Sequence, residues 1–144
     1  MDKDYLRDTA YPLLKGNAEF LLDYMVEDPN TGYMVTGPCV SPENSFRYQG
    51  WELGASMMTT CDRVLAHEIM SACVQASDIL GVDKDFADSL RLALAKFPPF
   101  RVNSYGVCAN GMRTMKRRIP TTAIPHTCWL IILTPRLQTG KTRS

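Results

Sequence analysis

Apolar residues recur at three- and four-residue spacing in three segments of the chain, and each segment predicts an amphipathic helix. The first helix is predicted over about residues 4–26, the second over about 57–80, and the third from Asp83 to Phe97. Gly81 takes the C′ position of the second helix, and Pro98-Pro99 ends the third. The apolar stripes are Leu6, Ala10, Leu13, Leu14, Ala18, Leu21, Leu22 and Met25; Met58, Cys61, Leu65, Ile69, Ala72, Ala76 and Ile79; and Phe86, Leu90, Ala93, Leu94 and Phe97.

Proline and glycine mark the ends and bends of the first helix. Pro12 either kinks this helix or lies in the first turn of its main part, with Asp8 or Thr9 as the N-cap. After the helix, Pro29-Asn30-Thr31-Gly32 predicts a turn, and residues 33–36 predict a short extended run.

The stretch from Val35 to Phe46 contains two prolines and a glycine and has no helical period. A loop of this kind between helices can present a polar group to a ligand. Its one carboxylate is Glu43, which follows Pro42. Because the neighbouring Phe46 would partly desolvate this carboxylate and raise its pKa, Glu43 is a candidate general acid. The alternatives are that Glu43 caps the start of a helix or lies in solvent.

Residues 47–56 predict a second loop that carries two aromatic side chains. Tyr48 and Trp51 can each stack on the apolar face of a sugar ring or pack against the helix below, and packing is the favoured interpretation. His67, in the second helix, has no acidic or histidine partner at metal-binding spacing. It is therefore predicted to be a solvated or core-edge histidine.

Composition places the chain among ordinary globular domains. Its 144 residues are enough for one domain with a core, and apolar residues make up 45% and charged residues 22%. No segment is apolar for long enough to span a bilayer, and the sequence before Tyr5 does not open a signal peptide. The five cysteines are odd in number and include no CxxC pair. Buried free thiols are expected, without a disulfide framework, a metal site or a cofactor.

Several separated blocks of the chain, in the same order, resemble the catalytic domain of glycoside hydrolase family 95, the inverting α-L-fucosidases. The central block is Ser41 to Phe46, and the resemblance covers about residues 3–106. The other matching residues are Tyr11 to Gly16, Ala18 to Phe20, Leu22 to Tyr24, Val26 to Pro29, Thr31 to Tyr33, Leu80 to Lys84 and Ala93 to Lys96.

The resemblance implies an all-α fold in which the three helices form part of an (α/α)6 toroid. It implies that Glu43 is the general acid, with Asn44 and Trp51 as candidate substrate-binding residues. The implied reaction is hydrolysis of terminal α-L-fucosyl or α-L-galactosyl linkages with inversion, so the expected partner is a fucosylated glycan rather than nucleic acid or a membrane. The residues that activate water in the family lie outside the retained part, so this chain is expected to be inactive alone. Intact relatives are often secreted or periplasmic, and this sequence assigns no compartment.

The last 38 residues differ from the rest in charge. Residues 1–106 hold all 15 acidic and nine basic residues, a net charge of −6, whereas residues 107–144 hold seven basic residues and no acid. The family resemblance ends at about Val107. Back-translation of the tail from Ala109, shifted by one base, permits QWNEDYEEAHPNHRHTSHLLA, which resembles the family's continuation. Residues 107–144 are therefore predicted to be an out-of-frame tail of low order. The alternative is a non-catalytic helical module whose basic tail, with Arg113 to Arg118, binds nucleic acid or anionic surfaces.

Overall fold

The structure is a computed structural model that describes residues 2–40 and 45–100, together with the backbone of residues 116–117. Most of the described chain is helical. The helices are Lys3–Tyr5 (α1), a π-helical turn at Leu6–Ala10, Tyr11–Tyr24 (α2), Thr60–Leu80 (α3) and Lys84–Ala95 (α4). None of the helices in this described part is long and apolar enough to cross a membrane.

The first predicted helix is present but begins and bends differently from the prediction. Asp2 is its N-cap, and the carboxylate accepts hydrogen bonds from the amides of Asp4 and Tyr5. The prediction of a cap at Asp8 or Thr9 is wrong, because the helix continues through both residues. Pro12 lacks an amide hydrogen, and the π turn that precedes it accommodates this change in the hydrogen-bond ladder.

Helices α3 and α4 begin and end close to the predicted positions. Thr59 caps α3 through its side chain, and the helix begins at Thr60, three residues later than predicted. Gly81 ends α3 in the left-handed conformation, with φ of 71°, a backbone geometry that favours glycine. Helix α4 ends at Ala95, shortly before Pro98-Pro99.

In the described residues, seven short strands accompany the helices. The all-α prediction is therefore confirmed in its coarser form, a helix-rich fold, with small antiparallel sheets beside the helices. The strands are Val26–Glu27 (β1), Met34–Val35 (β2), Cys39–Val40 (β3), Phe46–Tyr48 (β4), Trp51–Leu53 (β5), Ala55–Ser56 (β6) and Lys116–Arg117 (β7). Strand β1 pairs with β2, β3 pairs with β6, and the third sheet has the order β5-β4-β7. The β1–β2 turn is the one predicted at residues 29–32, and the amide of Gly32 donates to the carbonyl of Asp28 at 2.8 Å.

The core lies between α3 and the two helices that pack against it, α2 and α4. Met70, Cys73 and Leu90 are fully buried there. The predicted stripes locate this core only approximately, because Leu13, Leu65 and Ile79 are exposed. The buried cluster is Tyr11, Ala18, Met25, Val35, Met58, Ala66, Met70, Cys73, Val74, Ala76, Ala87, Leu90, Ala93 and Phe97.

A polar cluster fastens α2 to the start of α4. The Asp83 carboxylate accepts hydrogen bonds from the Tyr11 hydroxyl at 2.8 Å and from Lys15 Nζ at 2.7 Å. Asp83 has a φ of 51°, so it occupies the left-handed region, and its side chain makes no cap bond to α4. The cluster therefore links residues that are 72 and 68 positions apart in sequence.

The β1–β2 hairpin is fastened to the other end of α4. The amide of Met34 donates to the carbonyl of Lys96 at 2.9 Å, and Lys96 Nζ forms an ion pair with Glu27 Oε2 at 2.7 Å. Both contacts lie where α4 ends. Together with the Asp83 cluster, they hold the beginning and the end of α4 against the N-terminal part of the chain.

Asp83→Asn is expected to make the fold less sensitive to acid. Lys15, and then Tyr11, hold the pKa of Asp83 below its usual value. A carboxylate with a lowered folded-state pKa stabilises the protein above its unfolded-state pKa, near 3.9, and this stabilisation is lost as pH falls through the folded-state pKa. Thermal unfolding at pH 7 and at about pH 2.5 should show a smaller drop in Tm for Asp83→Asn than for the wild type.

Asp85→Asn is the matched control, because Asp85 lies in the same helix and its carboxylate makes none of these contacts. Asparagine also tolerates the left-handed backbone that residue 83 adopts. Equal drops in Tm for the wild type and Asp83→Asn would contradict the role assigned to this carboxylate.

Candidate active site

The candidate general acid, Glu43, and the candidate binding residue Asn44 lie in residues 41–44, which are outside the described residues. The structure describes the residues on both sides of this stretch. On the N-terminal side, β3 pairs with β6, with Val40 opposite Ala55. On the C-terminal side, Ser45 Oγ donates to Glu52 Oε1 at 2.9 Å. The four residues therefore connect two segments that are each held to residues further along the chain.

The β3 end of the stretch is attached to the first turn of α3. The Cys39 thiol donates to the carbonyl of Ser56 at 3.2 Å and accepts from the amide of Thr59 at 3.4 Å. Thr59 also hydrogen-bonds the Asp62 carboxylate through its hydroxyl. The position of the loop entrance is thus set by the cap of a core helix.

Cys39 has a structural role in this arrangement rather than a nucleophilic one. Burial raises the pKa of its thiol, and Asp62 raises that pKa further. A thiol with a raised pKa is protonated at neutral pH and is therefore a poor nucleophile.

Glycine is required at one position before the loop. Gly37 has a φ of 154°, and a Cβ atom there would overlap the side chain of Met57. The Pro38 carbonyl that follows accepts a hydrogen bond from the Tyr24 hydroxyl at 3.1 Å. The backbone between β2 and β3 is thus in close contact with residue 57, just before α3, and with the end of α2.

The segment predicted as a second loop contains a β-hairpin. Strands β4 and β5 pair antiparallel with Tyr48 opposite Trp51, and Gln49 and Gly50 between them have φ values of 51° and 84°. Positive φ at both central residues is the geometry of a type I′ turn, which matches the twist of paired strands. The sequence contains a signal for this hairpin, because Gln49-Gly50 lies between two aromatic residues.

Trp51 is 74% exposed at the start of β5. The favoured interpretation, that Trp51 packs against the helix below, is wrong. An exposed indole beside the candidate acid's loop leaves open the alternative of stacking on a sugar ring. Only the backbone of Tyr48 is described, so the same choice for Tyr48 stays a prediction.

A second polar group, which sequence reasoning missed, lies in the N-terminal half of α3 and contacts the segment that follows α4. Arg63 Nε donates to the carbonyl of Pro98, and the guanidinium lies 3.6 Å from the centre of the Phe100 ring. Burial lowers the pKa of Arg63, and its Nη1 atom has no hydrogen-bond partner in the described part of the chain. Only the folded geometry reveals this group, because Arg63 and Phe100 are far apart in sequence.

His67 is a core-edge histidine, as one of the two predicted alternatives has it. Its ring contacts Phe97 edge-on, with ring centroids 6.2 Å apart. Burial, and then the charge of Arg63, lower the pKa of His67, so its imidazole is neutral at pH 7. Among the described residues, no group of three or more His, Cys, Asp or Glu side chains is arranged to hold a metal ion.

Comparison with known proteins identifies the family of this chain. The model of the glycosyl hydrolase family 95 catalytic domain matches residues 1–142. The chain belongs to glycoside hydrolase family 95. This confirms the resemblance noted in the sequence, which is to a family of glycoside hydrolases.

Two curated relatives are named as fucosidases. The chain is 36% identical over 108 residues to Alpha-L-fucosidase 2 of Arabidopsis thaliana, which covers 74% of this chain and 13% of the relative. It is 44% identical over 45 residues to Probable alpha-fucosidase A of Aspergillus niger, which covers 30% of this chain and 6% of the relative. The chain therefore spans a small part of the length of the curated relatives that it matches.

Trp51→Ala is expected to leave the stability of the chain within about 0.5 kcal/mol of the wild type, because an exposed side chain contributes little packing. Met58→Ala is the contrasting variant, since Met58 is buried, and it should lower the free energy of unfolding by about 2 kcal/mol or more. Urea unfolding followed by circular dichroism measures both. A large loss in Trp51→Ala would show that this indole packs in the core after all.

Proposed function

We propose that this chain supplies the general-acid side of an α-L-fucosidase-like active site, as part of an (α/α)6 toroid. The observation that carries the proposal is that the described residues on both sides of residues 41–44 make contacts with residues further along a family 95 chain. The β3–β6 pair and the Ser45–Glu52 hydrogen bond hold the two ends of the stretch that contains Glu43. A catalytic carboxylate needs such anchors, because the proton must reach the glycosidic oxygen in a defined geometry.

In this mechanism Glu43 protonates the glycosidic oxygen while the anomeric carbon develops oxocarbenium character. Inversion requires a second group on the opposite face of the sugar, which removes a proton from the attacking water. In inverting enzymes the two groups are about 6.5–9.5 Å apart, which leaves room for that water. By family resemblance, asparagines and an aspartate outside this chain supply the second side.

The substrate proposed is a terminal α-L-fucosyl or α-L-galactosyl unit of a glycan. The names of both relatives support the fucosyl choice. Trp51, exposed at the β4–β5 hairpin, offers a flat apolar surface for a sugar ring, and Asn44 beside Glu43 offers an amide for its hydroxyl groups. Neither role requires a cofactor or a metal ion.

The purified 144-residue chain is expected to release no fucose or L-galactose from aryl glycosides or oligosaccharides, because it carries the acid without the water-activating side. Product release measured over long incubation, with Glu43→Gln as the matched variant, tests this expectation. Turnover by the wild type that disappears in Glu43→Gln would show that the chain is active alone and would refute the proposed division of the site.

Residues 107–144 are proposed to be translated out of frame. The charge division supports this, because 38 residues without an Asp or Glu follow a segment of net charge −6. The shifted back-translation, with its HRHTSH run, supports it as well. If the tail is instead read in frame, the family match up to residue 142 follows directly. The chain could then be a non-catalytic module whose basic tail binds anionic partners.

Sequencing the gene separates these two accounts. The proposal expects a one-base insertion or deletion near the codons for Gly106 to Ala109, with the alternative frame open beyond Ser144 and encoding the histidine-rich run. If the shifted frame closes within a few codons, or does not encode that run, the tail is genuine. The binding-module alternative then becomes the better account of its charge.

A further inference from the structure

Arg63, on one side of α3, holds the chain that follows α4. Its Nε donates to the Pro98 carbonyl, and its guanidinium carbon lies 3.6 Å from the centre of the Phe100 ring. These two contacts attach residues 98–100 to α3. The residue before them, Phe97, is buried in the core and is held there by apolar packing instead.

Arg63 makes these contacts at a cost in free energy. Its Nη1 atom is buried and has no hydrogen-bond partner in the part of the chain that the structure describes. A buried donor without a partner has lost its hydration without replacing it, and burial lowers the pKa of this guanidinium. The contacts that hold residues 98–100 are therefore partly offset by an unsatisfied buried donor. An additional positive charge nearby would act on an attachment that is already weakened.

His67 is the group that can supply this charge. It follows Arg63 by four residues, so the two side chains lie on the same side of α3. The His67 side chain is 30% exposed, its ring contacts Phe97 edge-on, and its Nδ1 lies 3.5 Å from the Ser71 hydroxyl oxygen. Burial, and then Arg63, lower the pKa of His67. The imidazole is therefore neutral at pH 7 and gains a proton only in more acidic solution.

Glu68 is the charged group that opposes this effect. Its Oε1 lies 4.0 Å from His67 Nδ1, but its side chain is 43% exposed, so solvent screens the attraction. Its effect on the pKa of His67 is smaller than those of burial and of the guanidinium. The segment packed against the imidazole presents the apolar Phe97 ring, and Lys96 before it is paired with Glu27. Together these surroundings favour the neutral imidazole.

We propose that His67 and Arg63 form a pH-sensitive switch that releases residues 98–100 from α3 when the imidazole is protonated. An imidazolium four residues from a guanidinium adds a like-charge repulsion along the helix. The guanidinium relieves this repulsion by moving into water, where its unsatisfied Nη1 is also hydrated. It then leaves the Pro98 carbonyl and the Phe100 ring.

The switch is confined to the chain beyond Phe97. The end of α4 is held independently, because the Met34 amide donates to the Lys96 carbonyl at 2.9 Å and Lys96 Nζ pairs with Glu27. Release therefore allows the chain after α4 to change direction without opening the core. The inference does not depend on the role proposed for the candidate acid.

Fluorine NMR tests the switch in the 144-residue chain, with 4-fluorophenylalanine incorporated at Phe100. Between about pH 7.5 and about pH 5, the Phe100 resonance should move towards that of a solvent-exposed ring. The change should follow the titration of His67, measured from its imidazole resonances, with a midpoint below about 6.5, the usual pKa of histidine. The released fraction should rise by at least about twofold, because a like-charge pair at this spacing has an effect of that order.

His67→Gln should abolish this pH response, because its amide does not titrate in this range. His67→Phe is a second variant without a titratable group, and it keeps an aromatic ring against Phe97. His126→Gln is the matched control, since it removes the other histidine of the chain and should retain the response. Circular dichroism should show the same helix content at both pH values.

Three results would overturn the proposal. One is a Phe100 resonance that does not change between the two pH values. Another is a pH response that persists in both His67 variants, or that disappears in His126→Gln. The third is a loss of helix in step with the change at Phe100, which would show that acid opens the fold as a whole.

Discussion

The burial of α3 on two sides is the constraint on which the rest of the described structure depends. Met70 and Cys73 are fully buried, and α2 and α4 both pack on this helix while making few contacts with each other. Because apolar burial is the main favourable term in folding, α3 fixes where its neighbours lie. It also fixes Thr59 at its first turn, and through the Cys39 thiol that turn holds the entrance of the candidate acid's loop. The site is therefore positioned by the core, although its residues lie in short strands and loops.

The sequence predicts the parts of the fold in which one local rule is sufficient. Gly81 ends α3 because left-handed backbone favours glycine, and Pro98-Pro99 follows α4 because proline cannot continue a helix. The stripes were less accurate, since periodicity alone does not say which of two apolar sides of a helix meets the core. Leu13 was assigned to the inner side for this reason, and the structure places it on the outer side.

The hairpin and the site depend on contacts between residues that are distant in sequence. Strands of two or three residues are too short to show an alternating pattern, so β3 and β6 are recognisable only once they are paired. The turn at Gln49-Gly50 carried a local signal, but its consequence, an exposed Trp51, did not follow from composition. The contact of the Arg63 guanidinium with the Phe100 ring could not be predicted either, because the two residues are far apart in sequence. Glu43 is identified by family resemblance rather than by geometry, and its role stays a prediction.

The Asp83 cluster has a consequence for the order of folding. The contacts of α3 with α4 join helices that follow one another along the chain, and such contacts form early because they close a short loop. The hydrogen bond from Tyr11 to Asp83 spans 72 residues, so the entropy of closing that long loop must be lost before the bond forms. We therefore expect the cluster to form late in folding. Weakening a late contact mainly speeds unfolding and changes the folding rate little.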